Sequence, residues 1–299
     1  MVDLLLGGSP CQGFSFAGKQ AGFADSRSGL FFDYVKALKI LKPKYFLFEN
    51  VKMKKEYQRV ITQQLGVEPV EINSALLSAQ NRRRLYWTNI SNIEQPDDKG
   101  IRLKDIVLDD VLLKTDLILS DKAIKFMDRP VKGGRTHWDF MYHSDIRRPK
   151  SSAVIANFSK GSPFNVLIDL DCVRKFHPIE CERLQTLPDN YTLGISATQR
   201  YKTVGNGWTV DVVAHILSFI PETYLHTVVS LFDGISCGQV ALERAGKICE
   251  QYYAAEIDKY AVQITKKNYP HTINFGDVTK IDWDMFLRRG TRVNEYQLC

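Results

Sequence analysis

The cysteine in the turn Gly7-Gly8-Ser9-Pro10-Cys11-Gln12-Gly13 is the side chain of this 299-residue chain best placed to act as a nucleophile. It follows an apolar run over residues 2–6. A strand of buried type that empties into a Gly/Ser/Pro turn presents its next side chain at the carboxyl edge of a sheet, where open α/β proteins build their sites. Pro10 removes a backbone donor and fixes the chain beside the thiol. A lone cysteine is commonly a small buried apolar residue, so these features alone leave a reactive and an inert thiol both open. A second apolar run, residues 45–48, ends at Glu49 and brings a carboxylate to the same edge. A third, residues 228–232, runs into Asp233-Gly234-Ile235-Ser236-Cys237-Gly238 before a helical stretch at 239–245. A strand, a glycine turn and a helix start form a pocket of backbone amides able to hold a carboxylate. Residues 252–255 end at Glu256, and an acidic residue at the tip of the second strand can take both ribose hydroxyls of a nucleotide-type cofactor.

Positioning these groups requires alternating strands and helices. Helical spacing over 30–41 joins the first two strands, which must then be parallel, with Cys11 and Glu49 just past their ends. The intervening loop carries Gly13, Gly18, Gly22 and Gly29 together with Phe14, Phe16, Lys19 and Arg27, and reads as a lid that closes over substrate. A polar helix is expected at 54–65, then strands at 69–73 and 85–90 flanking Gln80-Asn81-Arg82-Arg83-Arg84. From about 91 to 173 the rhythm breaks down: helical stretches at 101–113 and 121–127 are followed by an irregular span in which Trp138, Phe140, Tyr142 and His143 interleave with basic residues. Such a mixture suits groove and phosphate contact. The strands near 228, 252 and 274 are expected to join those near 2 and 45 in one sheet. The organisation expected is 1–90 and 221–299 as two halves of that sheet, 91–173 as a recognition region and 174–220 as a return to the catalytic domain.

The totals exclude several classes. No apolar run approaches the length that spans a bilayer, and cytoplasmic or nucleoid-associated residence is expected. Six cysteines and six histidines are scattered without CxxC or HxxxH pairs, which supports neither a disulfide framework nor a metal site. The formal charge of +6 suits a nucleic-acid binder without proving one, and Arg82-Arg83-Arg84 and Arg147-Arg148-Pro149-Lys150 concentrate it locally.

Pro10-Cys11-Gln12, the stretch Gly13 to Phe32 after it, and Phe48-Glu49-Asn50-Val51 together resemble the catalytic segments of DNA (cytosine-5) methyltransferases. The resemblance implies a class I S-adenosylmethionine-dependent methyltransferase fold, a Rossmann-like and mostly parallel sheet, with a small irregular target recognition domain at 91–173. In Gln-x-Arg-x-Arg it implies Arg84 at the target base and Arg82 supporting structure or phosphate. Phe176 to Gln185 resembles the segment that organises the recognition domain, where Glu182 and Arg183 are the expected buried ion-pair formers. Gly205-Asn206-Gly207-Trp208-Thr209-Val210, which opens an apolar helix through Ile216 and Phe219, resembles the turn that touches the cofactor. The cofactor is S-adenosyl-L-methionine, and the residues implied for it are Phe232, Asp233, Gly234, Ile235, Ser236, Gly238, Glu256, Ile257, Asp277, Val278, Pro10, Leu30 and Asn206. In the family these segments normally stand first; here they come last, so the chain looks circularly permuted. Ser236-Cys237-Gly238 replaces the two adjacent glycines of many members and resembles the animal de novo methyltransferases, with Cys237 as turn filling.

The chemistry implied is methyl transfer to carbon 5 of a cytosine flipped from double-stranded DNA, through a covalent Cys11 adduct stabilised by Glu49. A tRNA cytosine-5 methyltransferase and a catalytically silent DNA-binding homologue are the alternatives, and a cognate restriction endonuclease is a possible partner.

Overall fold

Seven strands form the central sheet: β1 (Leu4–Gly7), β2 (Tyr45–Val51), β3 (Val70–Asn73), β4 (Arg83–Thr88), β5 (Tyr224–Leu231), β6 (Ile248–Ala255) and β7 (Ile273–Asn274). This computed structural model describes residues 1–11, 14, 22, 26–109, 115–131, 134–136, 144–156, 166–169 and 172–289. The lateral order is β7-β6-β5-β1-β2-β4-β3. Neighbours pair in parallel except at β4, which runs against both β2 and β3. The strands expected from the two ends of the sequence therefore do share one sheet, and β1 lies between β5 and β2.

The apolar runs behave as strands buried on both faces should. Every residue of β1 is buried. Leu4, Leu6, Leu47, Tyr86 and Val228 face one core, whereas Leu5, Phe46, Phe48, Leu85, Trp87 and Val229 face the other. Helices α1 (Phe31–Leu41) and α2 (Lys55–Leu65) cover the second face. In chain order, α3 (Asp121–Met127) packs in a separate small apolar cluster through Met127, and α4 (Pro178–Leu184), α5 (Ala197–Asn206), α6 (Val210–Ser218), α7 (Cys237–Arg244) and α8 (Lys259–Asn268) cover the first face. α9 (Trp283–Arg289) returns to the second face through Trp283.

Strand register sets where the site can be. Gly7 lies beside both Phe48 and Leu231, Leu231 beside Ala255, and Ala254 beside Asn274. The carboxyl ends of β1, β5, β6 and β7 are thus level, and the turns leaving these four strands gather along one edge. β2 runs to Val51, beyond its expected end at Phe48, because Val51 pairs with Arg84.

Two local expectations are corrected. The helix expected over 101–113 is only a single turn, Leu103–Asp105, within the described residues. Its backbone donors go to remote partners instead: Leu103 N–H to the Pro149 carbonyl at 2.8 Å and Leu108 N–H to Glu180 at 3.0 Å. Glu182 does form a buried ion pair, with Arg200 on α5 at 2.8 Å, but Arg183 pairs at the surface with Asp189 at 2.7 Å. Arg183 lies on the side of α4 that faces solvent and Asp189, whereas Glu180, Cys181 and Glu182 before it are all buried. The fully buried pair is Arg174 with Glu180, bidentate at 2.9 Å for each bond. Between residues 91 and 175, Val166–Asp169 pairs with Cys172–Lys175 and Ser144–Asp145. Of the basic cluster at 147–150, Arg147 is tied to Asp145, and Lys150 turns inward to the carbonyls of Ser78 at 3.1 Å and Ile101 at 2.8 Å.

Candidate active site

After β1 the chain crosses the sheet edge through Gly8, Ser9 and Pro10 to Cys11. The crossing is crowded: a Cβ on Gly8 would lie 3.1 Å from Trp208 Nε1 and 3.2 Å from Glu49 Oε2. Asn50, buried at the end of β2, donates from Nδ2 to the Ser9 carbonyl at 3.2 Å and to its hydroxyl at 3.3 Å, which pins the approach to the thiol. The Cys11 carbonyl accepts from Phe14 N–H at 3.0 Å. Residues 12–13, 15–21 and 23–25, which carry most of the expected lid, lie outside the described residues.

Glu49 is held from two sides. Its Oε1 lies 3.1 Å from Arg84 Nε, and its Oε2 accepts from Trp208 Nε1 at 3.1 Å. The arginine reaches it because Glu49 pairs with Tyr86 and Val51 with Arg84, which makes Glu49 and Arg84 diagonal neighbours across two strands. Burial pushes the Cys11 thiol above its ordinary pKa, the negative charge of Glu49 pushes it further, and Arg84 and Arg82 pull it back. All four groups therefore share one electrostatic site, in which the thiol holds its proton at neutral pH.

The spacing of two in Gln80, Arg82 and Arg84 sends all three side chains to one side of an extended chain. Only Arg84 reaches the Glu49 carboxylate. Arg82 is buried and donates to the carbonyls of Val154 at 2.7 Å and Gly207 at 2.9 Å. Burial lowers its pKa to about 10, which still leaves it charged. Gln80 donates to Gln185 Oε1 at 2.9 Å and accepts from Val154 N–H at 3.0 Å. Gln185 in turn donates to the carbonyls of Val204 at 2.9 Å and Gly207 at 3.0 Å. Thr209 closes the network with a hydroxyl donated to Gln185 Oε1 at 2.9 Å. Satisfied buried networks of this kind specify a single geometry. Here the segment fixed is 204–209, the end of α5 and the turn that carries Trp208. A Cβ on Gly205 would lie 2.3 Å from the backbone of Ile155 and Ala156, so only glycine fits there.

The turn after β5 holds two non-glycine residues in the left-handed region, Phe232 at φ 59° and Ser236 at φ 57°. Strain of this sort persists where surrounding structure imposes it, and it clusters at ligand sites. Asp233 is buried, accepts from Tyr252 Oη at 2.7 Å and from the Ser236 hydroxyl, and is pushed up to about 6 by burial. Ile235 and Ser236 are likewise buried, so these side chains shape the turn from within. Gly238 sits tight against the sheet, where a Cβ would lie 2.6 Å from Tyr252 Oη. Cys237 is buried and its thiol is pushed up to about 12 by desolvation.

Other groups face outward. A Cβ on Gly234 would meet nothing within 4 Å. Glu256 accepts from the backbone N–H groups of Gly234 at 2.8 Å, Ile257 at 2.9 Å and Asp258 at 2.7 Å, which aims its carboxylate along the strand tip. Ile257 is 74% exposed, and Asn206 is exposed at the end of α5. Asp277 accepts from Thr279 N–H at 3.0 Å beside buried Val278. After burial and the opposing pull of Lys36, the charge of Asp277 is a further influence on Asp33, in the first turn of α1 next to Leu30; that helix start and the residues after β7 are therefore neighbours. Pro10 is half-buried next to Cys11. Among the described residues no cluster of His, Cys, Asp and Glu could hold a metal ion, and no helix is long and apolar enough to cross a membrane.

Sequence reasoning passed over Trp208, Asn50 and Gln185 as site-building residues. Asn50 and Gln185 stood inside resembling segments, and Trp208 opened an apolar helix; nothing local to any of them named a remote partner. The family described as C-5 cytosine-specific DNA methylase matches residues 1–106, 61–222 and 226–289. The Type II methyltransferase M1.ScrFI of Lactococcus lactis subsp. cremoris is 31% identical over 236 residues, covering 71% of this chain and 60% of that relative. M.HhaI of Haemophilus parahaemolyticus is 29% identical over 248 residues, 72% of this chain and 74% of its own length. M.HaeII of Haemophilus aegyptius is 31% identical over 235 residues, 72% of each. The crystal structure of the S. pombe Dnmt2 methyltransferase aligns with a TM-score of 0.47 and 16% identity over 66% of this chain and 73% of that one. This chain, with its cysteine and glutamate on one sheet edge, belongs to the C-5 cytosine-specific DNA methylase family.

Proposed function

We propose that the chain methylates carbon 5 of a cytosine flipped out of double-stranded DNA, with Cys11 as nucleophile and S-adenosylmethionine as methyl donor. The observation that carries this is the meeting of two strand ends: the turn leading to Cys11 passes so close to Glu49 that a Cβ on Gly8 would lie 3.2 Å from its Oε2, while Arg84 Nε lies 3.1 Å from Oε1. Carbon 5 of cytosine is too weak a nucleophile unaided, and addition of a thiolate at carbon 6 makes it enamine-like. The target is out of reach inside a duplex, so it must be extruded into the pocket.

Glu49 hydrogen-bonds ring nitrogen 3 and the exocyclic amine, and Arg84 keeps that carboxylate oriented while offering its remaining donors to the base. The negative charge of Glu49 is one of the two influences that keep Cys11 protonated. A proton shared between Glu49 and nitrogen 3 weakens that influence as negative charge reaches the ring. Thiolate attack and protonation of the ring therefore assist each other. The sulfur–carbon bond forms at carbon 6 as the carbon 5–carbon 6 double bond opens. The thiol proton leaves to water, nitrogen 3 takes a proton from water through the Glu49 carboxyl, and that proton returns by the same route when the adduct collapses. After the methyl group arrives, loss of the carbon 5 proton, with water as the acceptor, expels Cys11 and restores the ring.

The residues along the edge suit S-adenosylmethionine. There is open space over Gly234, a carboxylate at Glu256 suited to ribose hydroxyls, and the bare apolar face of Ile257 beside it for a ring to cover. Phe232, Asn206, Asp277 and Leu30 complete the walls. When bound, the cofactor supplies an electrophilic methyl group on a sulfonium.

We also infer that the chain is circularly permuted relative to its family's usual order. The sheet supports this, because β5, β6 and β7 complete the edge of a sheet begun by β1 and β2. Tritiated methyl transfer to DNA fragments, with mapping of the modified base, tests the whole proposal. Cys11→Ser is expected to abolish transfer while sparing cofactor binding, and undiminished turnover by that variant would remove the nucleophile assignment.

A further inference from the structure

Trp208 makes a contact that none of the motifs explains. Its indole N–H donates to Glu49 Oε2 at 3.1 Å across 159 residues of sequence, while Arg84 occupies Oε1 at 3.1 Å. We propose that Trp208 is a positioning residue for Glu49, fixing the orientation of the carboxylate that meets the flipped base. The inference rests on the role assigned to Glu49 above.

Three features make the contact a built one. The backbone that carries the indole cannot drift, since Arg82 and Gln185 both hold the Gly207 carbonyl, at 2.9 and 3.0 Å. Gly8 leaves the gap that the indole and carboxylate share, because a Cβ there would press on Trp208 Nε1 at 3.1 Å and Glu49 Oε2 at 3.2 Å. The donor is also neutral. A second cation in its place would hold Glu49 ionised and oppose passage of a proton towards ring nitrogen, whereas an indole N–H fixes direction without adding charge. With one oxygen on Arg84 and the other on Trp208, the carboxylate plane is set before any base arrives, as preorganised catalysis requires.

The test is Trp208→Phe in the full chain, together with replacement of Trp208 by 3-benzothienylalanine, which keeps the bicyclic shape and lacks the N–H. Loss of a hydrogen bond to a charged group is expected to lower kcat about tenfold or more. KM for DNA and for S-adenosylmethionine should each move by less than about threefold, the signature of an interaction used in the chemical step. Tritium release from carbon 5 of labelled cytosine in the presence of S-adenosylhomocysteine, which reports adduct formation without methyl transfer, should fall by the same factor. In a Glu49→Gln background either replacement should change exchange by no more than about twofold, because residues acting through one another are not additive. Parent-like kcat in the benzothienylalanine protein overturns the inference, and so does an equal loss in both backgrounds. If Glu49→Gln itself leaves kcat intact, the role of Glu49 falls and takes that of Trp208 with it, an outcome distinct from the other two.

Discussion

At the scale of single residues the site is a balance of charge around one thiol. Burial and Glu49 hold the Cys11 proton on, and Arg84 and Arg82 work to release it. Glu49→Gln removes one of the raising influences and leaves both cations unopposed, so the pKa of Cys11 falls. Alkylation by iodoacetamide at neutral pH should then speed up, since a lower pKa raises the thiolate fraction while thiolate is the minor form. Methyl transfer should slow in the same variant. A curve of alkylation rate against pH that stays in place, or moves upward, would show that Glu49 does not bear on the thiol. Cys11 and Glu49 were legible in the sequence because each stands at or near the end of an apolar run. Trp208 was not, since a hydrogen bond between a turn and a distant strand leaves no mark in local spacing.

At the scale of elements, the Gln-x-Arg-x-Arg segment explains how two identical side chains two residues apart come to different ends. Both point to one side of the strand, but Arg82 runs under the 204–209 turn and Arg84 over the sheet edge beside Glu49. Arg82→Met strands the buried carbonyl of Val154 and leaves that of Gly207 to Gln185 alone, and is expected to cost about 2–3 kcal/mol. At the usual scaling that is a fall in melting temperature of roughly 4–10 °C, measurable by calorimetry. A change below about 1 °C would mean that the carbonyls find other donors. The continuous apolar runs of β1 and β2 made the sheet readable, because strands buried on both faces demand them. The stretch 101–113 misled for the converse reason: its apolar periodicity was real, and Leu103 and Ile106 are buried, but its backbone bonds were claimed by Pro149 and Glu180.

At the scale of the whole molecule, β5 enters between β1 and β6 with a level register on both sides. If the order of segments is permuted and the sheet is otherwise that of the family, a gene encoding residues 221–289, a short flexible linker and residues 1–220 should yield a protein that methylates the same DNA site within about threefold of the parent rate. Soluble but inactive protein from that gene would show that the present order matters to the site. That the late strands join the early ones in one sheet was legible only through the resemblance, and their lateral order was not legible at all, because apolar runs say that strands exist and not which of them are neighbours. The position of β5 also bears on synthesis at the ribosome. Until residue 231 has left the exit tunnel, β1 has no partner on one flank and waits with an unpaired apolar edge in the open. A nascent chain stalled before β5 is the species most exposed to self-association and to chaperone capture.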